Sequence, residues 1–133
     1  MYLLDSDFII NLLKKNTKAQ ETLAKLVKKT NVPFALSVIN LAEIQEGLLA
    51  TNSENRLKHF KKLIQTMYIL PITTQTSLVF AKTRLNLRKK GLLIDNMDLL
   101  IASTCLEHNL TLVTYNTKHF DRIPQLKIYN QSA

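Results

Sequence analysis

The chain has 133 residues, 46% of them hydrophobic, and carries 18 Lys and Arg against 10 Asp and Glu, a formal net charge of +8 with a sequence pI near 9.7. That length suits one domain with a single core, here 1–133, and no uncharged apolar run approaches the roughly 20 residues of a membrane span. The positive balance favours a polyanionic partner, while only two glycines exclude a phosphate-cradling loop or a dinucleotide fingerprint.

Tyr2-Leu3-Leu4 is an apolar run that meets its first charge at Asp5 and then gives way to helical spacing at Phe8, Ile9, Leu12 and Leu13. This reads as a buried strand that delivers Asp5 to its tip. The two aspartates stand where a signal peptide would be basic, so the expected location is the cytoplasm, without a membrane anchor. Ala19, Leu23, Leu26 and Val27 form the stripe of a second helix, whose other face carries Lys18, Lys25, Lys28 and Lys29. Pro33 ends that helix. Residues 34–38 are a second apolar strand leading into Asn40-Leu41-Ala42-Glu43 and an amphipathic helix to about Ala50.

Leu57, Phe60, Leu63 and Ile64 mark another helix before a short strand over 67–70, which Pro71 stops. Thr76 or a neighbour is expected to cap a long helix through Leu78, Ala81 and Leu85 to the basic run Arg88-Lys89-Lys90, with Gly91 as its terminator. Residues 95–107 make the most apolar helix, and its Cys105 reads as a small core residue, not a nucleophile. Strands over 111–114 and 126–129 follow. Strands alternating with helices mean a parallel α/β sheet.

Six of the ten acids, Asp5, Asp7, Glu43, Glu46, Asp95 and Asp98, lie in three short apolar-flanked segments. Asp5, Glu43, Asp98 and Asn116 fall at strand ends or at the starts of the following helices, the side of an open parallel sheet where ligands bind. Carboxylates gathered from distant segments repel one another unless a cation sits among them, and hard oxygen ligands suit Mg²⁺ or Mn²⁺. A basic surface around such a pocket suits phosphodiester hydrolysis. Each position also has a plainer explanation. Asn40 with Glu43 resembles a capping pair, Asp95 and Asp98 suit a helix start, and Asn116 alone is a turn residue. Asp5 is harder to dismiss, because an ionised acid after a buried strand needs partners. His59 and His108 read as structural, His119 as a loop residue near the site, and Tyr115 as either a pocket wall or a surface ring.

In order and spacing, Leu4-Asp5-Ser6-Asp7, the stretch 37–47 around Glu43, Gly91 to Ser103 around Asp98, and Leu112-Val113-Thr114-Tyr115-Asn116-Thr117-Lys118-His119-Phe120 resemble the motifs of PIN-domain ribonucleases, specifically the small VapC-type toxins. The resemblance covers nearly the whole chain. It implies a three-layer α/β/α fold with a five-stranded parallel sheet in order 3-2-1-4-5. It also implies Mg²⁺- or Mn²⁺-dependent endoribonuclease activity, with transfer RNA a candidate substrate and translation the process inhibited, a homodimer, and a cognate VapB-type antitoxin. Carried over by position, Asp5, Glu43 and Asp98 would bind the metal, Asn116 would take the fourth place, and Ser6 would support the cluster by hydrogen bonding. Many relatives have an acid at the fourth position or where His119 stands, so one metal is expected here, not two. A phospho-acceptor receiver domain is rejected, because it needs an aspartate where this chain has Leu70-Pro71. The remaining rival is a catalytically weak or silent PIN domain that binds RNA or an antitoxin without cleaving.

Overall fold

A computed structural model describes residues 1–131. In chain order the elements are β1 (Tyr2–Leu4), α1 (Ser6–Leu13), α2 (Thr17–Lys29), β2 (Ala35–Ser37), α3 (Val38–Thr51), α4 (Glu54–Ile64), β3 (Tyr68–Leu70), α5 (Thr74–Lys89), α6 (Asn96–His108), β4 (Thr111–Val113), α7 (Thr117–Phe120) and β5 (Lys127–Ile128). All strand pairs are parallel, in the order β3-β2-β1-β4-β5. This is the α/β architecture and strand order expected from the resemblance.

The two faces of the sheet follow from the alternation of side chains along a strand. Leu4, Leu36 and Val113 join Phe8, Ile9, Leu26, Ile44 and Phe60 in one core, against α1 to α4. Their chain neighbours Leu3, Ala35 and Leu112 point the other way, into a core with Leu87, Leu99, Ile101, Ala102 and Cys105 of α5 and α6. Helices therefore cover both faces, as a parallel sheet requires. Among the described residues no helix is long and apolar enough to cross a membrane.

The strands are shorter than the apolar runs suggest, because helix caps take over their ends. Ser37 is both the last residue of β2 and the N-cap of α3, so Val38 is already helical. Ser37 and Asn40 form the reciprocal capping box, which leaves Glu43 free of any capping role. In α5 the cap is Thr73, with Thr76 as its reciprocal partner three residues on. Gly91 takes φ +68°, and the Leu92 N–H reaches back to the Leu87 carbonyl, the left-handed closure that glycine favours. Three marks of the helical periodicity face outward: Val27 is 57% exposed and Leu78 and Leu85 are 47% and 46% exposed. The buried side of α5 is instead formed by Thr76 and Leu87. The helix α7 lies where a loop was expected, since four residues are too few to show a period.

Candidate active site

Asp5 ends β1 and caps α1, and it is only 6% exposed. Its Oδ1 accepts from the Ser6 N–H at 2.8 Å and from Asn40 Nδ2 at 3.0 Å, and its Oδ2 accepts from Thr114 Oγ1 at 2.7 Å. A carboxylate offers about four lone-pair positions, so these three donors leave room for one further ligand. The donors come from α1, α3 and the end of β4, which fixes Asp5 at the centre of the sheet's carboxyl edge.

Glu43 reaches the same place from the second turn of α3, where Ser6 Oγ donates to its Oε1 at 2.6 Å. Asn40, fully buried, donates from Nδ2 to Ser6 Oγ at 2.9 Å as well as to Asp5, while its Oδ1 accepts from the Ser37 N–H and hydroxyl. The helix cap is thus also the support of the acids. Asp98 enters from the first turn of α6, with Asp95 as the cap of that helix. Its Oδ2 lies 3.6 Å from His119 Nδ1. Asn116 makes no hydrogen bond to the acids: its side-chain amide meets His119 Nδ1 at 3.1 Å, and its N–H donates to Thr114 Oγ1. His119 is therefore tied to both Asp98 and Asn116, a closer link than its expected place in a loop suggested. Glu46 is exposed on the outside of α3.

Three groups escaped the sequence reading as parts of this site. Thr114, fully buried, bridges Asp5 and Asp7 from the end of β4. Asn40 is a donor to the acids and not only a cap. Asp7 Oδ2 accepts from the Tyr115 N–H at 3.1 Å, while its Oδ1 is buried with no hydrogen-bond partner among the described residues. The one signal for Asp7 was its place two residues after Asp5; for Thr114 it was a polar residue between Val113 and Tyr115 where apolar residues precede it.

The electrostatics follow from burial and like charge. Burial raises the Asp5 carboxyl above the usual carboxylate range despite its three donors. Asp7 is pushed up to about 6, first by burial and then by the Asp5 charge. Glu43 is raised by burial and by the charges of Asp5 and Asp98, and Asp98 by burial and by Asp5 and Asp95. Among the described residues no Lys or Arg stands at ion-pair distance from any of these acids; the ion pairs formed are His108 with Glu107 and His119 with Asp98. As they stand, no three described His, Cys, Asp and Glu side chains form a ready cage for an ion. The donor set still fits one: hard carboxylate oxygens, an unpartnered buried oxygen and mutual repulsion are the conditions a hard divalent cation relieves.

The model of the PIN domain family matches residues 2–126. Ribonuclease VapC2 of Rickettsia felis is 34% identical over 133 residues, 98% of this chain and 97% of that protein. The crystal structure of VapBC2 from Rickettsia felis, bound to a DNA fragment from their promoter, superposes with a TM-score of 0.83 at 32% identity, covering 97% of each chain. VapBC-1 from nontypeable Haemophilus influenzae gives 0.83 at 31%, over 99% of this chain and 98% of that one. With this fold, this edge of the sheet and these relatives, the chain belongs to the PIN-domain family and, within it, to the VapC ribonucleases.

Proposed function

We propose that this protein is a divalent-cation-dependent endoribonuclease toxin, restrained by a cognate antitoxin. The observation that carries the reading is the convergence of Asp5, Glu43 and Asp98 from β1, α3 and α6 with no Lys or Arg among the described residues at ion-pair distance, and with only the imidazole of His119 beside Asp98. Asp5, Glu43 and Asp98 would hold one Mg²⁺ or Mn²⁺, with Asn116 and His119 as the polar rim on the α7 side. When bound, the ion supplies Lewis-acid stabilisation of the phosphoryl oxygens and makes water more acidic. The chain's own groups do the placing. Ser6 holds Glu43, Asn40 and Thr114 hold Asp5, and the residue beside Asp98 is His119 and not a further acid, in keeping with one ion and not two.

The net charge of +8 supports an RNA substrate, since cations outside the acidic edge attract the phosphate backbone. The similarity to VapBC assemblies supports an antitoxin partner. A homodimer is supported by the exposed apolar residues Leu78, Leu85, Leu92, Leu93 and Met97 on and between α5 and α6. The test is incubation of the purified protein with cellular RNA in millimolar Mg²⁺ and in chelator, together with growth on induction. Cleavage with Mg²⁺ only, and rescue of growth by co-expressing the product of the adjacent small open reading frame, is the expected result. RNA binding without cleavage under every divalent ion would leave the silent PIN domain as the reading.

A further inference from the structure

Beside the acids, beyond β4, lies a groove of about 750 Å³, within the usual range of small-ligand sites. One wall is Tyr115, 42% exposed, whose ring is backed by Phe8 at 5.8 Å between centroids and whose backbone N–H is held by Asp7. The other wall is α2, with Lys18 and Lys25; Glu21 and Asp121 also reach the groove, so it is not simply a basic surface. The groove shares Thr114 with the acidic edge, and that residue donates to Asp5 while its carbonyl accepts from Gln131 Nε2 at 2.7 Å. Thr114 and Tyr115 thus join the groove to Asp5 and Asp7, the side of the acidic edge nearest to it.

We propose that this groove holds a nucleotide of single-stranded RNA next to the phosphate at the acids, its base stacked on Tyr115 and its phosphates met by Lys18 and Lys25. The inference rests on the ribonuclease reading and adds to it where the substrate lies and why it is single-stranded. A ring fixed from behind with an open face is what sequence-tolerant base stacking needs, and paired bases cannot offer a face to it. Two lysines about two helical turns apart on one side of α2 suit a phosphate backbone better than a lone anion. Glu21 and Asp121 would repel an acidic peptide and a phosphate alike, so the choice of RNA rests on the stacking face of Tyr115 and the spacing of Lys18 and Lys25.

The test is fluorescence anisotropy in chelator with a labelled single-stranded RNA of about 12 nucleotides and with the same sequence as a duplex, a length within the footprint range of such binders. Variants are Tyr115→Ala, Tyr115→Phe, the pair Lys18→Glu with Lys25→Glu, and the pair Lys58→Glu with Lys61→Glu on α4 as a charge-matched comparison; melting curves establish that each folds. The expected result is preference for the single strand, about tenfold weaker binding by Tyr115→Ala, near-parental binding by Tyr115→Phe, and a larger loss from the α2 pair than from the α4 pair. Unchanged binding by Tyr115→Ala, or equal losses from the two charge pairs, overturns the proposal. So does loss of antitoxin capture with RNA binding intact, which would make the groove a protein dock. Mg²⁺-dependent cleavage by the parent protein separates the two levels: if it cleaves while the groove variants bind normally, the groove fails and the ribonuclease reading stands. If it neither binds nor cleaves RNA, both fail.

Discussion

At the tip of β1 a single carboxylate takes three hydrogen bonds and is still raised by burial, which sets how its neighbours behave. Asp98 can act as a helix-start charge or as a member of a crowded cluster, and the two predict opposite signs. As a dipole partner its loss costs about 0.3–1 kcal/mol. Its carboxyl is raised by burial and by Asp5 and Asp95 more than His119 lowers it. Asp98→Asn should therefore raise the melting temperature in chelator by about 2–4 °C at neutral pH, and Mg²⁺ should stabilise the parent more than the variant. A destabilised variant with an undiminished Mg²⁺ response would make Asp98 a helix-start charge alone. Asp7 gives a pH test. Its folded-state value of about 6 lies above the ordinary 3.8, so between these values the folded state binds more protons than the unfolded state. Stability then falls as pH rises through that window. Melts in chelator from pH 4 to 7 should show the fall, and Asp7→Asn should make it shallower, with the raised Asp5, Glu43 and Asp98 carrying the rest.

At the scale of elements, the cap of α3 and the acidic edge are one construction, because Asn40 serves both. Asn40→Ala removes the reciprocal cap and two donors to buried acceptors, which should cost about 2–4 kcal/mol in a denaturant titration. A loss below about 0.5 kcal/mol would mean that water replaces those donors. The order of strands and helices was legible because apolar periods and Pro33, Pro71 and Gly91 mark the changes between them. Asp5, Glu43 and Asp98 stood out as acids in apolar surroundings. The parts that were not legible depend on contacts between distant segments. The bond from Thr114 to Asp5 spans 109 positions, and that from Asn40 to Asp5 spans 35. Asn40 looked like the first half of a capping pair with Glu43; only the fold reveals that Ser37 is its partner, leaving Glu43 to meet Ser6. Alternation at 3.6 residues likewise could not say which side of α5 meets the core, since Leu78 and Leu85 lie on one apolar side and Thr76 and Leu87 on another.

Across the whole molecule, Asp5, Asp7, Glu43 and Asp98 collect at one edge of the sheet in a chain whose net charge is +8. RNA affinity should therefore fall steeply with salt, with a log–log slope of about −0.7 for each phosphate contacted on a single strand. A flat response between low and physiological salt would confine the lysines of α2 and α4 to solubility. If Asp5 anchors a cation-dependent centre for RNA hydrolysis, the most direct measurement of it is the rate of RNA cleavage in Mg²⁺ by Asp5→Asn against the parent protein. The substitution keeps the size of the side chain and removes its charge. The expected result is a loss of about 10²–10³-fold, the scale of removing one group that stabilises charge in a transition state, with an unchanged far-UV circular dichroism spectrum. Cleavage by Asp5→Asn at the parental rate would contradict it.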